Sequence, residues 1–139
     1  MMVIHFPAAL FPVEFGLHLI ANFTSNPEIS TASYYCLMVG VISGCIAVLT
    51  GIIDLFLYVL RSPDADSTGW KHATIQTIVV SGFSVLFIAE YKRPELLTEL
   101  PAWLMIAKAA LVVLLLAGNY LGGELVFNTV AKQFRRSKK

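Results

Sequence analysis

Residues 36–57 read CLMVGVISGCIAVLTGIIDLFL, a run of 22 positions with one charged side chain, Asp54. At 1.5 Å per residue a helix of that length reaches about 33 Å, enough to cross a hydrocarbon core of about 30 Å. Three more runs of the same kind follow from the sequence: Met2 to about Thr24, about Thr68 or Lys71 to Ala89, and from Pro101 through a leucine-valine stretch toward Lys132. The expectation is an all-α polytopic membrane protein, an up-down bundle of four transmembrane helices at about 2–24, 32–61, 69–90 and 101–131. A basic cytoplasmic tail would follow at 132–139.

Composition supports that class. Hydrophobic residues make up 57% of the 139 positions and charged residues 14%, where a soluble domain carries about a quarter. Four spans nearly exhaust the chain, so it reads as a single membrane domain with no soluble catalytic one. The first run lacks a basic n-region, contains Glu14 and His18, and is followed by no small-residue cleavage site, which reads as mature structure and not a signal peptide. Cys36 and Cys45 lie nine apart on one helix, about 13 Å by helix rise, too far for a mutual bridge.

Local signals set the ends. Asn26-Pro27 marks a turn, the segment from Arg61 to Asp66 is rich in turn formers, and Pro101 suits a first helical turn. Glu90, Tyr91, Lys92, Arg93 and Pro94 read as the interfacial end of the third helix. Trp70, Trp103, Tyr34, Tyr35, Tyr58 and Tyr91 fall near span ends, as an aromatic belt requires. Gly40 with Gly44, and Gly118 with Gly122, have the spacing that lets membrane helices approach closely. Five of the ten basic residues, Lys132, Arg135, Arg136, Lys138 and Lys139, lie in the last eight positions. With Arg61 and Lys71 they place both termini in the cytoplasm by the positive-inside rule. Such a tail beside a membrane helix suits anionic lipid and not nucleic acid.

Ionisable residues inside spans are costly and are functional candidates for that reason. Counted from the predicted ends, His5, Asp54, His72 and Glu124 fall at one depth, a polar ring near the cytoplasmic face. His5 and His72, on diagonal helices, could be axial ligands of a non-covalent b-type haem, the metal being its iron. Asp54 and Glu124 would then orient their rings. A second group lies deeper: Glu14 and His18 share a helix face, and Lys108 enters the fourth helix to about the depth of Glu14. The three can neutralise one another as an intramembrane polar pairing, and snorkelling of Lys108 toward its own helix end is the alternative. No covalent haem-attachment motif, hydrolytic zinc motif, phosphate loop or serine triad motif occurs, so no independent enzymatic activity is expected.

His5-Phe6-Pro7, Gly51-Ile52-Ile53-Asp54, His72 at the opening of the third helix and Leu121-Gly122-Gly123-Glu124-Leu125-Val126 resemble the pattern of the bacterial domain-of-unknown-function 2231 family of small four-helix membrane proteins. The resemblance spans nearly the whole chain and puts His5, Asp54, His72 and Glu124 on the family's polar positions. It implies the fold, the topology and a bacterial cytoplasmic membrane, and no substrate. His18 stands where the family pattern leads one to expect an acidic residue.

Three functions remain open at this point. The first is a membrane-embedded haem-binding or electron-transfer subunit holding haem b at His5 and His72. The second is an accessory subunit of a larger respiratory or photosynthetic complex, partnered by other membrane subunits or by copies of itself. The third is a small proton-linked transporter using Glu14, His18 and Lys108.

Overall fold

The computed structural model describes residues 5–61 and 67–136, and the side-chain surroundings of 5–57, 69–124 and 127. Four helices form: α1 (His5–Thr24), α2 (Pro27–Arg61), α3 (Ser67–Lys92) and α4 (Ala102–Arg136), with a short 3-10 turn, η1 (Pro94–Leu97), between the last two. No strand occurs among the described residues. All four helices are long and apolar enough to cross a membrane. Neighbours in sequence pack together and α4 also meets α1, which closes the ring. The α1–α2 and α3–α4 connections lie at one end, called the loop face here, and the start of α1 and the end of α4 lie toward the other, the terminal face.

Each helix turns a narrow seam inward at alternating spacings of three and four. On α1 the buried positions are Pro7, Phe11, Glu14, His18 and Ala21. On α2 they include Ser30, Ser33, Leu37, Gly40 and Gly44, on α3 Val79, Phe83, Leu86 and Glu90, and on α4 Leu104, Lys108 and Leu115. That spacing keeps one stripe of a helix facing its partners. The outer surface is studded with exposed Ile, Leu, Val and Phe, while four ionisable side chains, Glu14, His18, Glu90 and Lys108, lie inside. This is the reverse of a soluble protein and is what a hydrocarbon solvent selects.

The core is pinned by aromatic packing across the diagonal. Phe11 of α1 and Phe83 of α3 stack with centroids 4.0 Å apart and planes 7° from parallel. Gly40 of α2 makes room for them, since a Cβ there would lie 2.8 Å from Phe11 Cε1. At the terminal half of the bundle, α3 and α4 are joined by Gln76 donating to Asn119 (2.8 Å) and by the His72 ring seated on Gly122, where a Cβ would stand 2.8 Å from Cε1.

Three helix ends differ from the sequence expectation. α2 begins at Pro27, five residues before the expected 32, because Asn26 is its N-cap: Asn26 Oδ1 accepts the Glu28 N–H at 2.9 Å. Pro27 takes the first helical position, where its missing donor costs nothing. Ser25, at φ 52°, makes the reversal before it. α3 runs on to Lys92, so Glu90 belongs to the helix interior and not to an interfacial end. α4 continues to Arg136, which carries Lys132, Arg135 and Arg136 as helix and not as tail. The start expected near Met2, the loop at 62–66 and the final three residues, with Lys138 and Lys139, lie outside the described residues.

Candidate functional site: a buried Glu-His-Glu-Lys cluster

Beneath η1, at the loop-face end of the bundle, four ionisable side chains from three helices meet. Glu14 and His18 come from α1, Glu90 from α3 and Lys108 from α4. Lys108 and Glu14 are 0% exposed, and His18 and Glu90 are 1% exposed. Each sits on the inward seam of its helix, so the packing that buries Phe11, Phe83 and Leu104 carries the ionisable groups in with it.

The ammonium of Lys108 is the hub. It donates to Glu14 Oε1 and to His18 Nδ1 at 2.6 Å, and Glu90 Oε1 lies 2.6 Å away. The Glu90 approach is an ion contact without hydrogen-bond alignment, because the same oxygen has no geometrically good donor. His18 Nδ1 stands 3.7 Å from both Glu14 Oε1 and Glu90 Oε1. From α2, the Ser33 hydroxyl reaches the Glu14 carbonyl oxygen at 3.1 Å and Glu14 Oε1 at 3.3 Å. Snorkelling of Lys108 is thereby replaced by full burial against partners.

The tautomer of His18 follows from its two neighbours. Nε2 lies 2.9 Å from the Leu96 carbonyl of η1, and a carbonyl only accepts, so Nε2 carries the proton. Nδ1 faces the Lys108 ammonium, which only donates, so Nδ1 is the lone-pair side. His18 is therefore neutral: an imidazolium would set a second donor against Nζ. The lid that fixes this arrangement is tied down where Leu100 N–H donates to Asn22 Oδ1 at 3.0 Å, and Leu96 itself packs into the apolar core.

Glu90 is the member the sequence reading missed. It sits beside Tyr91, Lys92, Arg93 and Pro94, whose interfacial character hides it in the sequence. The usable signal was the spacing Val79, Phe83, Leu86, Glu90, which continues the buried seam of α3 without a break.

The expected terminal-side ring is arranged differently from its sequence reading. His5, Asp54 and Glu124 are exposed on the bundle, and His72 is half-buried between α3 and α4, where Nδ1–H donates to the Gly118 carbonyl at 2.8 Å. His5 does not share the depth of His72. His5 lies six residues before Phe11, whereas His72 lies eleven before Phe83, and those two rings stack. The second tie between the two helices agrees: His18 follows His5 by thirteen residues and Glu90 follows His72 by eighteen, and these side chains are 3.7 Å apart. Both give an offset of five residues, about 7.5 Å along the axis, with His5 the deeper. Counting depth from predicted helix ends concealed it, because the ends are staggered.

The fold and this cluster define a polytopic α-helical membrane protein with an ionic site sealed inside the bundle. Its sequence matches the family described as Predicted membrane protein (DUF2231) over residues 1–133, and the chain belongs to that family. No curated protein and no solved structure matches it.

Proposed function

We propose that the protein is a small proton-linked membrane module in which Glu14, His18, Glu90 and Lys108 form an intramembrane proton-exchange site. The observation that carries this reading is the charge count in a sealed space: two carboxylates face one ammonium and a neutral imidazole. With both carboxyl groups ionised the site would hold a net charge of −1, and a charge inside a bilayer costs on the order of 2.5–3.5 kcal/mol even on the most lenient scales. One further proton restores neutrality. Glu14 accepts hydrogen bonds from Lys108 and from Ser33, while Glu90 has the ammonium contact alone, so Glu90 is the seat of that proton.

A site of this kind does more than staple helices. A structural pair needs one anion per cation, and the second carboxyl adds burial cost without adding a partner. Its use is to take up and release a proton beside a fixed counter-charge, which is how intramembrane carboxyl groups serve proton-linked carriers. The excess of basic residues near the α2–α3 connection and at the C-terminal end of α4 supports cytoplasmic termini, and on this reading the loop face, with η1 over the cluster, is on the outer side of the membrane.

Reconstitution tests it. Liposomes containing the protein and an enclosed pH-sensitive dye, given a membrane potential by a potassium gradient and valinomycin, should show proton entry above that of empty vesicles. Glu90→Gln should abolish the excess. Wild-type traces that match empty vesicles would overturn the proposal.

A further inference from the structure

We infer that the same cluster binds a divalent transition-metal ion, the metal competing with the Lys108 ammonium for one set of donors. The inference deepens the exchange-site reading and rests on it.

Three observations point there. First, Glu14, His18 and Glu90 offer two carboxylate oxygens and one imidazole nitrogen that all lie within 4.8 Å of one another. A mixed set of this kind suits Zn²⁺, Mn²⁺ or Fe²⁺, whereas Mg²⁺ and Ca²⁺ favour all-oxygen shells. Second, His18 is already oriented as metal-binding histidines are: Nε2–H is spent on the Leu96 carbonyl, which leaves the Nδ1 lone pair aimed into the cluster. Third, Glu14 Oε2 and Glu90 Oε2 are buried with no hydrogen-bond partner among the described residues. Buried polar atoms normally have one.

Charge favours the exchange. One ammonium balances one carboxylate and leaves the other to carry a proton, whereas a +2 ion balances both. When the metal enters, the extra proton on Glu90 and one ammonium proton of Lys108 leave, so that M²⁺ is exchanged for two protons with no net movement of charge. The unprotonated Lys108 amine can then complete four-coordination with the two carboxylates and the imidazole. Among the described residues, the polar group that α2 contributes to the cluster is the Ser33 hydroxyl.

Co²⁺ is the probe, because its visible absorption reports four-coordination without any assay of transport. Protein stripped with chelator in mild detergent is titrated with Co²⁺, and bound metal is counted by equilibrium dialysis. The expected result is one Co²⁺ per chain with four-coordinate bands in wild type, and binding at least about tenfold tighter in Lys108→Met at neutral pH, because wild type must first strip a proton from the Lys108 ammonium and the variant, with water as its fourth ligand, need not. Loss of both bands and binding is expected in Glu90→Gln. Absence of the bands from wild type and Lys108→Met alike overturns the inference. So does binding that survives Glu90→Gln, which would place the metal elsewhere. Should Lys108→Met fail to fold, wild type against Glu90→Gln decides the matter alone. Infrared detection of a protonated carboxyl group in the same metal-free sample separates the two proposals: that band without Co²⁺ binding leaves the proton site standing and removes the metal.

Discussion

Removing the hub of the cluster and removing its surplus charge should have opposite consequences. Lys108→Met keeps most of the length of the side chain and deletes the one cation that, among the described residues, contacts Glu14, His18 and Glu90. Two carboxyl groups are then sealed with no counter-charge, and breaking a buried pair in this way costs about 3–5 kcal/mol. Part of that loss is recovered if both carboxyl groups bind protons. In this variant the folded state at neutral pH holds more protons than an unfolded chain whose carboxyl groups meet water. Stability therefore falls as pH rises and recovers on mild acidification. Glu90→Gln instead leaves Glu14 and Lys108 as a one-to-one pair, and an amide in place of the protonated acid keeps size and hydrogen-bonding capacity. Its stability should stay within about 1 kcal/mol of wild type. Reversible unfolding in mixed micelles, scored by circular dichroism at neutral and mildly acidic pH, measures both. Equal losses for the two variants, or a Lys108→Met loss that does not depend on pH, would refute the charge count.

Three further outcomes follow from the geometry. His18→Phe removes the tie to the Leu96 carbonyl and should cost about 1–3 kcal/mol, with faster hydrogen exchange confined to η1 and its flanks; unchanged exchange there would show that Leu96 packing and the Leu100–Asn22 bond hold the lid without His18. Gly40→Ala drives a methyl group into Phe11 and should cost about 1–3 kcal/mol, while Gly16→Ala, with open space around it, should be neutral or stabilising by up to about 1 kcal/mol; the same unfolding assay ranks them. The five-residue offset of His5 from His72 leads us to expect no reduced α band from a bis-histidine haem in protein purified from haem-replete cells. A sharp α band lost in both His5→Ala and His72→Ala would refute the register set by the Phe11–Phe83 stack.

The four spans were legible because hydropathy over twenty residues averages out local detail. Pro101 and the leucine-valine stretch alone locate α4, and the glycine spacings marked real close approaches at Gly40 and Gly122. Glu14, His18 and Lys108 stood out because each is an ionisable residue far inside an apolar run. Glu90 did not, since its neighbours Tyr91 to Pro94 look interfacial and only the three-and-four seam distinguishes it from them. The N-terminus of α2 was obscured because Asn-Pro has two uses, turn and helix cap, and the Asn26 bond to Glu28 N–H decides between them. Relative depth was least legible of all: it depends on how helices slide past one another, and stacked side chains such as Phe11 and Phe83 fix that register.

The odd proton can be seen directly. Infrared spectra of the metal-free protein at neutral pH should contain the carbonyl stretch of a buried protonated carboxyl group, insensitive to bulk titration over the mildly acidic range and missing from Glu90→Gln. A spectrum without that band, or one in which it survives Glu90→Gln and vanishes in Glu14→Gln, would contradict the assignment of Glu90 as the proton-carrying member of the cluster.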